Sequence, residues 1–322
     1  MFLEQPRETL TQGAFARKLA AVAVYGACRH ARLTVAPQRA IHAQRPRRTP
    51  VKILVPIKRI PDPDATVKFA NGALDLSGAK WVPNTFDEYA VETALRLAEH
   101  VGGSSRLAEV IVLSICPAAQ RQHVTQALAM GAERGVVVDC DDRELDSITV
   151  SKLIAAVATR EQADLVIAGK LSQDNEGGQI AQRVAGLLNR PQACFAAEVE
   201  WQRDANALLV KREVDDGVES KKIPLPAVLN VDLRVVLPTS VHNGATPADH
   251  KYQDGPRLAS LRGITMAKRK KVEVLTPDAL GVVASATESE AGVTAPPARA
   301  SGQIVNSVEE LVNKLATEAK VL

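Results

Sequence analysis

From residue 51 onward the chain repeats one pattern: a short run that is apolar throughout, then a stretch whose apolar residues recur at helical spacing. The runs are 51–57 (VKILVPI), 109–115 (EVIVLSI), 135–140 (GVVVDC) and 164–169 (DLVIAG), and helical periodicity follows over 86–101, 118–130, 147–160 and 178–189. A strand that is apolar on both faces needs cover on both faces. Helices between successive strands supply that cover and enforce parallel crossovers, so the pattern predicts a doubly wound parallel α/β sheet. Two capping boxes, Thr85-x-x-Glu88 and Ser307-x-x-Glu310, mark helix starts, because the hydroxyl and the carboxylate satisfy amides that a first turn leaves free.

After residue 194 the rhythm changes. Residues 194–201, 208–214, 219–223 and 227–233 read as strands with no helix between them, which predicts an antiparallel extension closing the domain 51–235. Residues 236–322 then bring a Pro- and Gly-punctuated loop (237–255), a short basic helical stretch, an Ala-, Thr- and Pro-rich tail and one last amphipathic helix. Such a span buries little by itself, so we expect a C-terminal arm lying on another chain.

The formal net charge of +3 is unevenly distributed. Residues 1–50 hold eight Arg and Lys18 against Glu4 and Glu8, a balance of +7, which leaves 51–322 at −4. The extension has no Ser. It fits a disordered tail, translation from an upstream start, or an Arg-rich transit peptide, and stands outside the predicted fold. Nucleic-acid binding is not expected, because the body is acidic and the chain's five Phe, three Tyr and two Trp leave few rings for base stacking. No run approaches the roughly 18 consecutive apolar residues of a membrane span. Cys28, Cys116, Cys140 and Cys194 form no C-x-x-C pair, which suits buried thiols in a reducing compartment rather than a zinc site or disulfide scaffold.

Catalytic signatures are missing. Gly169-Lys170 runs on into Leu171, so it is no Walker A loop, and G-x-G-x-x-G, H-E-x-x-H and G-x-S-x-G are absent. The six histidines are scattered; His100 and His123 fall on predicted helices, as solvated or internally satisfied side chains do. A binding site is better supported. In open α/β sheets ligands sit beyond the carboxyl ends of the strands where the strand order reverses. With order 3-2-1-4, that crevice lies between the loop Pro56-Ile57-Lys58-Arg59 and the loop from Gly169 to Gln179, which opens into a helix. Gly177-Gly178 at a helix start lets backbone amides and the helix dipole meet an anion; the same pair would equally serve a tight turn alone. Asn84 would add a third wall.

At these positions the chain resembles the beta subunit of electron-transfer flavoprotein. The resemblance rests on 53–58 (ILVPIK), 84–88 (NTFDE), 126–134 (QALAMGAER), 164–170 (DLVIAGK), 210–219 (VKREVDDGVE), 225–234 (LPAVLNVDLR) and 259–274 (ASLRGITMAKRKKVEV), in the family's order. It implies a Rossmann-like sheet of order 3-2-1-4-5 and a heterodimer with an alpha subunit that carries most contacts to a redox-active FAD. It also implies a structural AMP on this subunit, in a carrier without catalytic residues of its own. Electrons would come from acyl-CoA or other flavin dehydrogenases and pass to a quinone oxidoreductase, in the bacterial cytoplasm, or in the mitochondrial matrix if 1–50 is a transit peptide. The family's AMP site carries over to Pro56, Asn84, Asp87, Ser114, Ile115, Gly169, Lys170, Asp174, Asn175, Gly177, Gly178, Gln179 and Ile180. Many relatives have a run of acids and then Asn-Gln-Thr in this loop, where this chain has Asp174-Asn175-Glu176-Gly177-Gly178-Gln179-Ile180, and some branches place a second FAD here. Residues 257–271 resemble the partner-recognition loop, with Leu261 as anchor, Arg262 beside it and Lys268, Arg269, Lys270 and Lys271 as a steering cluster. A competing reading is an ATP-cleaving enzyme of the same architecture, which would need an anion loop rich in Ser and Gly after the first strand.

Overall fold

The computed structural model describes residues 50–66, 68–70, 73–288, 293–294, 297 and 301–322; the expectation for the N-terminal extension falls on 1–49, outside them. The repeating pattern becomes β1 (Val51–Pro56), α1 (Thr85–Ala98), β2 (Ala108–Ile115), α2 (Gln122–Met130), β3 (Arg134–Val138), α3 (Ser147–Glu161), β4 (Leu165–Gly169) and α4 (Ile180–Leu188). Then follow β5 (Gln192–Gln202), β6 (Ala207–Val214), β7 (Gly217–Pro224), β8 (Ala227–Val231), β9 (Val241–His242), α5 (Leu261–Ala267), β10 (Val272–Leu275) and α6 (Val308–Thr317). The main sheet runs β7-β6-β5-β8-β4-β1-β2-β3-β10, with β9 beside β5. Read from β3 this is the expected 3-2-1-4, and all of these pairs are parallel.

Alternation sorts the core into two layers. Ile53, Val55, Val110 and Val112 face α1 and α2, where Val91, Leu95, Val124 and Leu128 are buried. Leu54, Ile111 and Leu113 face α3 and α4 and meet Leu153, Val157 and Val184. Each strand thus buries both faces, as its unbroken apolar run requires.

Three expectations change. The strand at 227–231 does not belong to the antiparallel extension. It lies between β4 and β5, parallel to both, and takes the fifth parallel position, so that within the main sheet of the described residues the β5-β6-β7 meander alone is antiparallel. A strand not foreseen, β10, adds to the other edge beside β3. Its successors Leu280 and Val282 pack on the α3 layer, so the arm lies on this chain's own sheet as far as residue 288. The box at Thr85 does not form: Asn84 is the N-cap, and no side chain caps that helix. At Ser307 the hydroxyl half of the box forms, with Glu310 N donating to Ser307 Oγ at 3.1 Å, while the Glu310 carboxylate accepts from Asn306 N at 2.9 Å. Helix α6 buries none of its residues.

Candidate functional site

The strand order reverses at β1 and β4, and a cleft of about 160 Å³ opens beyond their carboxyl ends. The loop after β1 forms one wall. Lys58 N donates to Asp87 Oδ2 at 2.8 Å, and Asn84 N donates to Lys58 O at 2.9 Å, which ties the start of α1 to that loop. The carboxamide of Asn84 does not serve its own helix. Its Nδ2 donates to Leu171 O at 2.9 Å and its Oδ1 accepts from Gln173 N at 3.2 Å, so it fastens the loop after β4 across the crevice.

That loop has an internal frame. Glu176 N donates to Ser172 O at 2.8 Å, while Asn175 Oδ1 accepts from Ser172 Oγ at 2.8 Å and Gly177 N at 3.2 Å. Gly178 follows at φ +57, a left-handed conformation that glycine adopts without strain. The chain then enters α4, whose Gln179 N-cap offers no capping bond; its side chain accepts from Arg183 instead. The first amides of a helix have no intrahelical acceptor. At α4 they accompany a glycine-lined cradle and the positive end of the helix dipole, as an anion site needs. The opposite wall is apolar: Leu113, Ile115, Leu145, Val150, Ile154 and Ile180 line a slot suited to a flat ring.

The cations at the mouth are paired. Lys58 Nζ lies 2.5 Å from Asp174 and Lys170 Nζ 2.8 Å from Asp232; Arg59, buried outside the cleft lining, grips Asp142 of the cleft wall through Nε at 2.8 Å and a terminal nitrogen at 2.6 Å while stacking 4.4 Å from the Trp81 ring. An anion here would therefore rely chiefly on backbone amides. Asp87 is buried, and burial pushes its carboxyl up to about 7 although Lys58 N, Asn84 and Gly169 N hydrogen-bond to it. Close packing explains Gly169: a Cβ there would stand 2.5 Å from Asp87 Oδ1 and 2.7 Å from the Phe86 carbonyl carbon.

Of the residues singled out from sequence, Pro56, Asn84, Asp87, Ile115, Gly169, Lys170, Asn175, Gly177, Gly178, Gln179 and Ile180 come together around this cleft. Ser114 does not. It faces the α2 layer, buried, with Oγ 2.6 Å from His123 Nε2. Asp174 stands behind Lys58 as its counter-ion. The reading missed the wall made by Asp142, Leu145, Asp146 and the first turns of α3. The crossover from β3 to β4 must pass over β2 and β1, which lays the start of α3 over the crevice; Asp146-Ser147 ahead of a helical run was the available signal. Among the described residues no cluster of metal-ligating side chains occurs, and no helix is long and apolar enough to cross a membrane.

At the other end of α1, residues 257–271 make a second surface. Leu261 is 86% exposed at the start of α5, and Arg262, Lys268, Arg269 and Lys271 face solvent. Lys270 does not share that role: its Nζ donates to Leu128 O at 2.9 Å and Ala132 O at 2.6 Å, closing the carboxyl end of α2.

A family model described as "Electron transfer flavoprotein domain" matches residues 72–280. The chain is 36% identical over 270 residues to the human protein named electron transfer flavoprotein subunit beta, covering 82% of this chain and 96% of that one. It is 37% identical over 277 residues to the mitochondrial beta subunit of that name from Oryza sativa subsp. japonica, covering 84% and 100%. The likeness to the Dictyostelium discoideum beta subunit is 34% over 273 residues, covering 84% and 99%.

Proposed function

The chain belongs to the electron transfer flavoprotein beta-subunit family, and from that premise we propose a specific assembly. The subunit pairs with an alpha subunit around one FAD, holds an AMP in the cleft, takes electrons from acyl-CoA or other flavin dehydrogenases and delivers them to a quinone oxidoreductase. The observation that carries the AMP assignment is the pairing, in one cleft, of an apolar slot with a glycine-framed, uncapped helix start. The slot fits a base, and the amides around Gly178 and Ile180 fit a single phosphate. Asp142 and Asp146 line the same cleft beside that slot.

A bound flavin supplies the redox chemistry. This chain's own residues bind, orient and dock. Residues 257–271 are the docking segment in this reading: Leu261 is the apolar anchor, Arg262 flanks it, and Lys268, Arg269 and Lys271 steer the encounter. Helix α6, amphipathic and without buried residues, is the part of the arm that lies on the alpha subunit. We place the complex in the bacterial cytoplasm, or in the matrix where residues 1–50 act as a transit peptide.

Co-expression with an alpha subunit followed by mass spectrometry of the released nucleotides tests the assembly. One FAD and one AMP per yellow heterodimer is the expected result. Two FAD per heterodimer would replace the AMP assignment with a bifurcating type. A colourless, stable monomer without nucleotide would overturn the proposal.

A further inference from the structure

Arg257 sits four residues before Leu261, inside the docking segment, yet its side chain is turned into the protein. Nε donates to Glu92 Oε2 at 2.6 Å, and one terminal nitrogen donates to Glu92 Oε1 at 3.0 Å and Glu99 Oε2 at 3.1 Å. The other terminal nitrogen donates to Glu99 Oε1, and the backbone amide of Arg257 reaches Glu92 Oε2 at 3.2 Å. Glu92 lies on α1 and Glu99 is that helix's C-cap, seven residues on, so the fork of donors spans both.

Glu92 is also paired, at 2.7 Å, with Arg96, and both side chains are almost wholly buried. Arg96 in turn donates to the carbonyls of Leu237 at 2.8 Å, Gln253 at 2.7 Å and Gly255 at 3.1 Å, and its guanidinium lies 4.8 Å from the Tyr252 ring. The segment leading to Arg257 is therefore fixed to α1. Beyond the leucines the chain is fixed again. A Cβ at Gly263 would meet Ala129 O at 2.3 Å, so α5 lies against the α2 backbone, and Lys270 closes the end of α2. Between these two attachments Leu258 and Leu261 are 87% and 86% exposed.

Two leucines held in water between fixed points are preorganised: binding them elsewhere costs little further ordering. We propose that Arg257 is a positioning residue for docking, which sets the direction in which Leu258 and Leu261 leave the surface, and that these two leucines together form the apolar anchor for a recess on the donor dehydrogenase. This rests on the reading of 257–271 as the docking segment. Arginine is required because a lysine ammonium has no fork with which to hold two carboxylates.

The test uses the flavin-loaded heterodimer as electron acceptor from an acyl-CoA dehydrogenase. Arg257→Gln should raise KM for the heterodimer about tenfold, with kcat and nucleotide content unchanged. Arg257→Lys should fall between, and Leu258→Ala should raise KM as well. Adding Arg257→Gln to the pair Leu258→Ala, Leu261→Ala should raise KM no further than that pair alone, since with both leucines gone there is nothing to position. Additive effects, or an unchanged KM in Arg257→Gln, would overturn the inference while leaving the docking segment in place. If Leu261→Ala itself leaves KM unchanged, the docking reading fails and the inference falls with it. Should Arg257→Gln not assemble, Arg257→Lys placed on the pair Leu258→Ala, Leu261→Ala provides the same comparison.

Discussion

Asp87 and His123 are buried on neighbouring elements, α1 and α2, and their ionisations oppose each other. Burial pushes Asp87 up to about 7 from 3.8, so between those values the native chain keeps a proton that the unfolded chain has released. Its contribution to stability is full below about pH 4 and is lost as pH rises through 7. Burial, reinforced by the Arg59 charge, pushes His123 down to about 4 from 6.5, so its contribution is full above 6.5 and is lost as pH falls through 4. Over one pH window the two slopes largely cancel in the wild type. Asp87→Asn removes the first, so its unfolding free energy from urea titration, relative to wild type, should climb from pH 4 to pH 7 by an amount on the order of a few kcal/mol. His123→Gln should climb in the opposite direction, as pH falls. Parallel free-energy curves for wild type and Asp87→Asn would show that the carboxyl is not shifted. Only part of this was legible in the sequence. The strand order places Asn84 and Asp87 at the crevice, but the diversion of Asn84 from its helix to Leu171 and Gln173 depends on a loop nearly ninety positions away. Ser114 misled for a simpler reason: alternation along β2 turns it to the face opposite Leu113 and Ile115, and a motif match carries no facing.

Elements were more legible than their pairings. The strand at 227–231 reads correctly from its β-branched and aliphatic residues. Its insertion between β4 and β5 depends on where the β5-β6-β7 meander lies, which no local pattern encodes. The start of α3 has the same character. Asp146 caps it in the ordinary way, Oδ1 accepting from Thr149 N at 2.7 Å. The second oxygen takes Thr287 N at 2.6 Å, Thr287 Oγ1 at 2.6 Å and Glu288 N at 3.2 Å, while Thr149 Oγ1 donates to Ser285 O at 2.7 Å. One carboxylate thus begins a helix in the cleft wall and fastens the arm 141 residues later in the chain. These bonds hold the Asp146 carboxyl well below the usual range, led by the Thr287 hydroxyl. Replacing it by Ala should cost roughly 1–2 kcal/mol as a lost cap and release the segment beyond β10. Thermal melting checks the first effect, and limited proteolysis with the cut sites mapped between 276 and 301 checks the second. Asp146→Asn should retain the cap and much of the melting temperature. Equal protection of the arm in wild type and Asp146→Ala would show that the fastening lies elsewhere.

At the scale of the whole molecule the relevant quantity is where charge sits. Residues 51–322 carry a net −4, yet Lys268, Arg269 and Lys271 stand exposed together beside Leu261. A local cationic patch on an acidic body orients an approaching acidic surface before contact, and that orientation is screened within about 8 Å at physiological ionic strength. Sequence shows four successive cations and cannot divide them. The change from α5 to β10 does so, because it turns Lys270 toward the end of α2, where burial lowers its pKa and two carbonyls accept hydrogen bonds from its ammonium. The four residues should therefore fail in two distinct ways. Lys268→Glu or Arg269→Glu should slow flavin reduction by the donor dehydrogenase at low salt by about tenfold, converge on the wild type as salt is raised, and leave the melting temperature unchanged. Lys270→Met leaves two carbonyls short of a charged donor and should lower stability by about 1–3 kcal/mol, with the salt dependence of electron transfer intact. Stopped-flow reduction across a salt series, paired with melting curves on the same samples, separates the two. If Lys270→Met changes the salt slope as Lys268→Glu does, Lys270 takes part in steering and its contacts with α2 do not hold in solution. If neither exposed cation alters the slope, the acidic partner surface assumed for the donor is wrong, and docking rests on the apolar anchor alone.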